Sequence, residues 1–258
     1  MAKTRSRPLP QELLKTESRS AAHVPDIEAK HVLDVYDSIA PHWHGTRYKA
    51  WPRVQAFIDG LPRHSVVADI GCGNGKNMPA CESVGFAIGS DFSVKLLEIC
   101  RERKFEVFAA DCTAVPLRTG AFDAALSIAV LHHLSTRERR IAAIAEAKRV
   151  LCIGGRMLFY AWAKEQTSGR SGHIFESADV FVPWHLKMEG EVDLIAIKDT
   201  LPAAGSVDEE KKALVFDRYC HVYEEGELPS LFEAVEGLRI VECYYDTGNW
   251  CVIAERTS

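Results

Sequence analysis

Short apolar runs alternate along the chain with stretches whose apolar residues recur every three or four positions. The runs predict strands, and the recurring positions predict amphipathic helices. Five strands are expected before residue 163, at 65–70, 86–91, 105–111, 122–130 and 156–162. Helices are expected near 32–39, where Pro41 would end the helix, and at 52–59, 93–103 and 136–150. Strands that alternate with helices are typical of a parallel sheet built from βαβ units.

The two ends of the chain and one long connection follow a different pattern. Residues 1–30 mix basic residues with Pro and predict a mobile tail, and about 163–213 predict an irregular insertion rich in Gly, Ser and charge. The chain then resumes with a strand at 214–223, a helix, and two strands around Asp246-Thr247-Gly248, which is a good hairpin turn. We therefore expect one α/β domain over 31–258, with a Rossmann-like, mostly parallel sheet that ends in an antiparallel hairpin.

Composition narrows the class of protein. The chain has 258 residues, of which 47% are hydrophobic and 26% charged, as in ordinary globular proteins rather than fibrous or disordered ones. The net charge of −5 does not favour nucleic-acid binding, so any such contact would need a local basic patch. Eight cysteines form no C-x-x-C pair, and no metal site is predicted. No apolar stretch is long enough for a membrane span or resembles a secretory signal, so a cytoplasmic location is expected, with the nucleus as the alternative.

The strongest local motif follows the first predicted strand. Its sequence, ADIGCGNGK (68–76), carries Gly71, Gly73 and Gly75 in the spacing G-x-G-x-G. This is neither the dinucleotide pattern G-x-G-x-x-G, because Lys76 occupies the last position, nor a P-loop. Glycines at such a turn allow the backbone to approach a ligand closely, although they also make an ordinary tight turn.

Acidic residues at the strand ends indicate which ligand the glycine motif could bind. Asp91 ends the second strand, where a carboxylate can accept both hydroxyls of a ribose, although it could equally cap the next helix. Asp111, with the adjacent Cys112, ends the third strand, where it could accept from an adenine amino group. Asp69 precedes the glycines and could pair with an ammonium group. A nucleoside that carries an amino acid fits all three carboxylates, and S-adenosylmethionine is that molecule.

Eight segments run in order through residues 31–255 and carry a resemblance to a known family. They are VYDSIAPHW (35–43), TRYKAWP (46–52), ADIGCGNGK (68–76), SIAVLHHLSTRERR (127–140), YAWAKEQ (160–166), DVFVPWHL (179–186), RYCHVYEEGEL (218–228) and NWCV (249–252). They resemble the eukaryotic tRNA methyltransferases that esterify 5-carboxymethyluridine at the anticodon wobble position, including the methyltransferase domain of the AlkB-homologue tRNA-modifying protein. The resemblance implies a class I S-adenosylmethionine-dependent methyltransferase fold, with the insertion on the substrate side.

The expected reaction directs attention to residues that position a carboxylate. A carboxymethyl group is already ionised at neutral pH, so no general base is required. Arg47 is the first candidate to grip it, since a guanidinium can bind a carboxylate through two parallel hydrogen bonds; an exposed charge is the alternative. His132 and His133 end the fourth strand, and we favour His132 as the one that contacts substrate. Trp162 ends the fifth strand and is expected either to stack on the nucleobase or to pack in the core.

The remaining substrate candidates come from two places. Arg139 and Arg140 belong to the TRERR run and are predicted either to contact phosphates or to form a solvated helix face. Arg218, His221 and Asn249 lie in the family-like segments near the C-terminus and are expected to complete the substrate pocket.

The resemblance also implies partners, and two alternatives stay open. The expected partners are a tRNA anticodon loop and a small zinc-binding activator subunit, which could cover the third strand by β-augmentation if that strand lies at a sheet edge. One alternative is a methyltransferase that acts on a small carboxylic acid or quinone precursor. The other is a noncatalytic protein that retains cofactor binding.

Overall fold

The computed structural model describes residues 4–10, 23–44, 50–166, 173–187, 202 and 204–258. The strands in chain order are β1 (Thr4–Arg5), β2 (Arg7–Pro8), β3 (Ser65–Ile70), β4 (Gly85–Asp91), β5 (Val107–Ala109), β6 (Phe122–Ile128), β7 (Leu151–Trp162), β8 (His173–Ile174), β9 (Asp179–Lys187), β10 (Gly205–Asp208), β11 (Ala213–His221), β12 (Leu238–Asp246) and β13 (Asn249–Arg256). The helices are α1 (Asp26–Glu28), α2 (Asp34–His44), α3 (Pro52–Asp59), α4 (Met78–Val84), α5 (Val94–Glu102), α6 (Arg137–Val150) and α7 (Glu227–Glu233). One π-helical turn (Ala29–Leu33) joins α1 to α2, and a 3-10 turn (Leu131–His133) follows β6.

The main sheet has seven strands in the order β12-β13-β7-β6-β3-β4-β5. Strands β3 to β7 are mutually parallel, and the hairpin β12–β13 joins antiparallel to β7. This confirms the predicted fold class. Because the five parallel strands point the same way, their carboxyl ends meet at one edge of the sheet, where ligands of doubly wound sheets bind. Strand β5 forms the outer edge, as expected, but is shorter than the predicted 105–111.

Helices bury the apolar residues on both faces of this sheet. Ile144 of α6 and Phe232 of α7 are buried on one face, and Ile58 of α3 and Met78 of α4 are buried on the other. The burial of such side chains is the main term that stabilises the fold. Among the described residues, no helix is both long and apolar enough to span a membrane.

A second sheet of four antiparallel strands, in the order β10-β11-β9-β2, corrects the prediction for residues 163–213. Strand β9 pairs along its whole length with β11, and β10 pairs on the other side of β11. Val180 and Val182, two apolar residues at strand spacing, are fully buried and explain why this segment is a strand. Residues 167–172 and 188–201 of the predicted insertion lie outside the described residues.

The N-terminal segment departs from the predicted mobile tail. Strand β2 pairs with β9, and helix formation begins at residue 26 rather than near 32. Pro41 does not end the helix but lies inside α2. Val35 and Ile39 on this helix are completely buried and pack with Phe216 of the second sheet, which offsets the roughly 3 kcal/mol cost of an internal proline. Residues 11–22 lie outside the described part of the chain.

Candidate functional site

A pocket opens where the carboxyl ends of β3, β4, β5, β6 and β7 meet, with helices α1 and α2 forming one of its walls. Its polar and aromatic lining residues are Glu28, Tyr36, Trp51, Asn74, Lys76, Asn77, Asp91, Phe92, Asp111, Cys112, His132, His133, Arg139 and Trp162. We call the part around the glycine loop, Asp91 and Asp111 the cofactor half, and we include Asp69, which is buried behind the wall of the pocket and does not line it. The part around His132, His133, Trp162 and the adjacent Arg218 is called the substrate half.

The glycine loop forms the floor of the cofactor half. Gly71 has a φ of +80°, and a Cβ there would lie 2.2 Å from the side chain of Val130, so neither conformation nor space admits another residue. Gly73 also lines the pocket, and its backbone N–H donates to Asp91 at 2.8 Å. Gly75 does not line the pocket but lies behind the loop, against Phe105. The glycines therefore bring bare backbone to the pocket wall.

Asp91 holds the loop and also faces the pocket. One of its carboxylate oxygens accepts from Gly73, and the other accepts from the backbone N–H of Ser93 at 2.9 Å. Burial raises the pKa of this carboxyl, while these backbone donors oppose the rise. A carboxylate has about four acceptor sites, so these backbone donors leave Asp91 able to accept from a ligand hydroxyl. Helix α5 is capped by Ser93 itself, which accepts from Leu96, rather than by Asp91.

Asp69 and Asn77 form a buried acceptor pair behind the loop. The amide nitrogen of Asn77 donates to Asp69 Oδ2 at 3.4 Å, and Oδ1 of each residue has no hydrogen-bond partner among the described residues. Burial raises the pKa of Asp69 to about 7, against the opposing effects of Asn77 and Lys76. Buried acceptors without donors are costly. An ammonium group, which only donates, would satisfy both of them.

Asp111 lies at the far end of the cofactor half and is paired with Arg139. Its Oδ1 accepts from the backbone and the hydroxyl of Thr113, both at 2.8 Å, and its Oδ2 accepts from Arg139 at 2.6 Å. Arg139 also donates to Glu28 at 2.9 Å. Arg139 is only 2% exposed, so the prediction of a phosphate contact or a solvated face is wrong. Cys112 lines the pocket beside Asp111, as expected.

His132 lines the substrate half in a defined tautomer. The backbone N–H of Trp162 donates to His132 Nδ1 at 3.4 Å, so the proton of the neutral ring resides on Nε2. Burial lowers the pKa of His132 far below its ordinary range. The indole of Trp162 stacks on the imidazole with ring centroids 4.9 Å apart. The two rings thus form one aromatic wall with an Nε2–H donor.

Both ring nitrogens of His133 make hydrogen bonds within the protein. Its Nδ1 lies 2.9 Å from the carbonyl oxygen of Tyr219, so it must donate, and its Nε2 accepts from the hydroxyl of Tyr36 at 2.9 Å. Burial lowers the pKa of His133 to about 3, which keeps the ring neutral. With both nitrogens engaged, His133 positions Tyr36 and the second sheet rather than offering a free group to substrate. Of the two histidines, His132 is the one with a ring N–H left to donate.

Arg218 of β11 stands next to this wall. Its guanidinium lies 5.7 Å from the ring centre of Trp162 and 5.0 Å from that of Trp184, and it donates to Tyr36 at 3.5 Å. The side chain is 3% exposed. Cations over aromatic faces are stabilised by the ring quadrupole, more so when they are desolvated. A buried positive charge therefore lies beside the substrate half.

Four predicted substrate residues do not line the pocket: Arg218, which stands beside it, and Arg140, His221 and Asn249. Arg140 is buried and donates to the carbonyls of Leu134 and Ser135. His221 is held by two carboxylates, Asp179 at 3.0 Å and Glu227 at 2.7 Å. Burial lowers the pKa of His221, but the hydrogen bonds to these two carboxylates outweigh burial and leave the pKa raised.

Asn249 starts β13, where its amide donates to the backbone carbonyls of Asp246 and Thr247 in the hairpin turn. Hydrogen bonds within the protein hold the side chains of Arg140, His221 and Asn249, and the prediction that these residues contact substrate is not supported. Arg47 lies outside the described residues.

Several pocket residues were not singled out by the sequence. Tyr36 belongs to the VYDSIAPHW segment and Asn77 directly follows the glycine loop, so both had a local signal. Trp51 packs under Lys76, whose ammonium lies 4.2 Å from the ring centre. Glu28 gave no local signal, because its partner Arg139 is 111 residues away.

One group of side chains has the composition of a metal site. Donor atoms of His132, His133 and Cys220 lie within 4.8 Å of one another in the described part of the chain. His133 already uses both nitrogens in hydrogen bonds, and burial raises the pKa of the Cys220 thiol to about 12. A metal needs a thiolate and free imidazole nitrogens, so this arrangement does not suit one.

The cofactor half fits S-adenosylmethionine group by group. The unpartnered acceptors of Asp69 and Asn77 suit its ammonium, Asp91 suits the ribose diol, and Asp111 suits the adenine amino group. The bare backbone of the glycine loop leaves room for the chain that joins them.

Known proteins are similar to this chain in sequence and in fold. A family profile described as a methyltransferase domain matches residues 68–159. The tRNA (carboxymethyluridine(34)-5-O)-methyltransferase of Schizosaccharomyces pombe is 41% identical over 232 residues, which cover 90% of this chain and 98% of that protein. The protein of Xenopus tropicalis named tRNA (carboxymethyluridine(34)-5-O)-methyltransferase alkbh8 is 38% identical over 89% of this chain, but this chain spans only 41% of its length.

A solved structure gives the same picture of the fold. The complex between the Haloferax volcanii Trm112 methyltransferase activator and a putative methyltransferase aligns with a TM-score of 0.59 over 90% of this chain and 98% of that one, at 11% identity. At such low identity the match establishes the fold only. The similarity to the fission yeast protein extends over nearly the whole of both sequences, and on that ground the chain belongs to the tRNA (carboxymethyluridine(34)-5-O)-methyltransferase family.

Proposed function

We propose that this protein transfers a methyl group from S-adenosylmethionine to the carboxylate of 5-carboxymethyluridine at wobble position 34 of tRNA, forming 5-methoxycarbonylmethyluridine. The observation that carries the proposal is the substrate half, where the neutral His132 and the buried charge of Arg218 adjoin the cofactor half. The names of the relatives that cover most of this chain support the same substrate.

Positioning is the main task of the substrate half. The carboxymethyl group has a pKa near that of Asp and Glu, about 4, and is ionised before it binds. Arg218 supplies an opposite charge in a desolvated setting, where Coulomb attraction is stronger than in water. The Nε2–H of His132 can donate to a carboxylate oxygen, and the stacked rings of His132 and Trp162 form an aromatic wall against which the uracil ring can pack.

The reaction needs no general base. When bound, S-adenosylmethionine supplies an electrophilic methyl group on a sulfonium. The substrate carboxylate would take this methyl group through one oxygen, and the electron pair of the former carbon–sulfur bond would remain on sulfur. No proton moves, which agrees with two histidines that are held neutral. What remains for the protein is alignment and exclusion of water.

A protein partner is part of the proposal. Strand β5 is an edge strand, and Phe86 on the neighbouring β4 is 53% exposed. An exposed edge with apolar side chains favours pairing with a strand from another chain. The solved complex named above pairs a methyltransferase of this fold with the Trm112 activator. We propose that a small zinc-binding activator of this kind docks on β5 and stabilises the protein.

A small carboxylic acid is the second candidate substrate. It is favoured by the burial of Arg139 and Arg140, which removes the basic surface expected for RNA contacts. A partner that supplies part of the RNA-binding surface would reconcile this observation with a tRNA substrate.

The test is methyl transfer from labelled S-adenosylmethionine to tRNA that bears 5-carboxymethyluridine, with and without the activator. The matched control is the same tRNA with unmodified uridine at position 34. We expect the methyl ester, identified by mass after nucleoside digestion, only in the modified tRNA. Cofactor binding without transfer to either tRNA, with or without activator, would contradict the proposal and favour the small-molecule substrate.

A further inference from the structure

Three side chains from distant parts of the chain meet at one end of the cofactor half. Arg139 of α6 donates through Nε to Glu28 at 2.9 Å and through Nη2 to Asp111 at 2.6 Å. The side chains of Arg139 and Glu28 are 3% and 4% exposed. All three residues also line the pocket. This triad, in which Arg139 and Glu28 are buried and Asp111 is partly exposed, is therefore a part of the ligand site as well as a link between helix α1 and the main sheet.

The hydrogen bonds of the triad leave a specific pattern of acceptors. Glu28 Oε1 accepts twice from Ser135, and Asp111 Oδ1 accepts twice from Thr113. The second oxygen of each carboxylate accepts one bond, from Arg139. An ionised carboxylate oxygen can accept two bonds, so each of these second oxygens retains a lone pair. Neither carboxylate offers a hydrogen to donate.

The charge of Arg139 maintains this pattern. Burial raises the pKa of Glu28, and the guanidinium of Arg139 opposes that rise. Without the guanidinium, the buried Glu28 carboxylate would lose the charge that opposes the effect of burial, and its protonated form would be favoured. A protonated carboxyl group donates a hydrogen bond and would suit a carbonyl oxygen instead of an amino group.

We propose that Arg139 determines the base specificity of the cofactor site by keeping Glu28 and Asp111 as acceptors, so that the pocket selects a 6-amino purine and rejects a 6-oxo purine. Glu28 is then a second acceptor for the amino group beside Asp111, and Arg139 is a positioning residue that acts through both. The inference rests on the proposed cofactor and adds to it the means by which adenine is chosen.

The test compares two ligands that differ in the purine 6-substituent and in the proton that the oxo form carries on N1. The full-length protein is titrated calorimetrically with S-adenosylhomocysteine and with its deaminated analogue S-inosylhomocysteine. For the wild type we expect at least about tenfold preference for the amino compound, the order expected for a hydrogen bond to a charged group. Arg139→Gln should reduce this preference to about twofold or less.

Two further variants separate specificity from folding. Glu28→Gln replaces an acceptor by an amide that also donates, so it should lower the preference for the amino compound and strengthen binding of the oxo compound. Arg149→Gln is the matched control, because Arg149 lies on the same helix and pairs with Glu146 at 2.7 Å but does not line the pocket. It should keep the wild-type ratio.

The outcomes separate this inference from the cofactor assignment. An unchanged ratio in Glu28→Gln, or an Arg139→Gln protein that loses affinity for both ligands equally, would overturn the inference while leaving S-adenosylmethionine as the cofactor. Failure of the wild type to bind S-adenosylhomocysteine would overturn the cofactor assignment and the inference with it.

Discussion

In the two halves of the pocket, burial shifts the pKa values of ionisable groups in opposite directions. In the cofactor half, Asp69 keeps an acceptor atom without a partner, and burial raises the pKa of its carboxyl to about 7. In the substrate half, burial lowers the pKa values of His132 and His133, and each ring is fixed in one neutral tautomer. The first half thus has an acceptor that a cation would satisfy, whereas the second holds neutral imidazoles beside the charge of Arg218.

The difference follows from the ligand that each half is proposed to hold. An ammonium group gains most from a carboxylate that is otherwise poorly solvated, because the pair relieves the cost of burial. A carboxylate substrate gains from one positive charge and from imidazoles that do not compete for protons. The contrast predicts that pH acts on cofactor binding and spares the transfer step.

The largest effect is expected from Arg218→Ala. Removing the buried charge should slow single-turnover methyl transfer to the modified tRNA by about a hundredfold or more, while the affinity for S-adenosylmethionine stays within about twofold. Arg218→Lys should recover part of the rate, since it keeps the charge but loses the planar donor fork. Arg239→Ala, at an exposed arginine of β12 paired with Glu255, is the control. If Arg218→Ala matches that control while folding normally, the role of Arg218 is wrong.

A smaller effect, and a pH signature, is expected from Asp69→Asn. Below about pH 7 the Asp69 carboxyl of the free protein becomes protonated and loses its attraction for the ammonium group. The wild-type affinity for S-adenosylmethionine should then fall by up to about tenfold for each pH unit below 7. In Asp69→Asn the affinity should be about tenfold weaker near pH 7.5 and nearly independent of pH, whereas the exposed Asp59→Asn should keep the wild-type slope. If the affinity of all three proteins changed with pH in the same way, Asp69 would not be the residue that binds the ammonium group.

The smallest effect is expected from His221→Gln, which should change stability rather than activity. Because the pKa of His221 is raised, its stabilisation is complete below the ordinary value of about 6.5 and is lost as the pH rises through the raised pKa. The lowered pKa values of Asp179 and Glu227 give stabilisation that is lost as the pH falls through them. The variant should lose about 1–2 kcal/mol near pH 6, and progressively less as the pH rises through the raised pKa of His221, by denaturant unfolding. The exposed His185→Gln is the control. A selective loss of tRNA affinity in His221→Gln would instead support the prediction that His221 contacts the substrate.

The same two halves differ in how far the sequence predicts them. The glycines and Asp91 lie within 21 residues of one another, and the fold that brings them together follows from strand and helix periodicity. These features depend on residues that are close together in the chain, so a short sequence motif is enough to predict them.

The substrate half is assembled from distant segments. Tyr36 bonds to His133 across 97 positions and to Arg218 across 182 positions. The TRERR motif suggested surface arginines. Arg139 is nevertheless buried, because it pairs with Glu28 on a helix in the segment that the sequence predicted to be a mobile tail. The sequence pattern shows that a residue is charged, but the partner that decides its role comes from another part of the fold.

The pH dependence of the transfer step itself tests the contrast most directly. Single-turnover methylation of tRNA bearing 5-carboxymethyluridine is measured from about pH 5.5 to 9 with S-adenosylmethionine saturating at every pH. The neutral histidines and the ionised substrate predict a rate that changes less than about twofold over this range. A rate that rises tenfold or more with an apparent pKa near 6.5 would show that a histidine gives or takes a proton in the reaction, and would contradict the account of the substrate half.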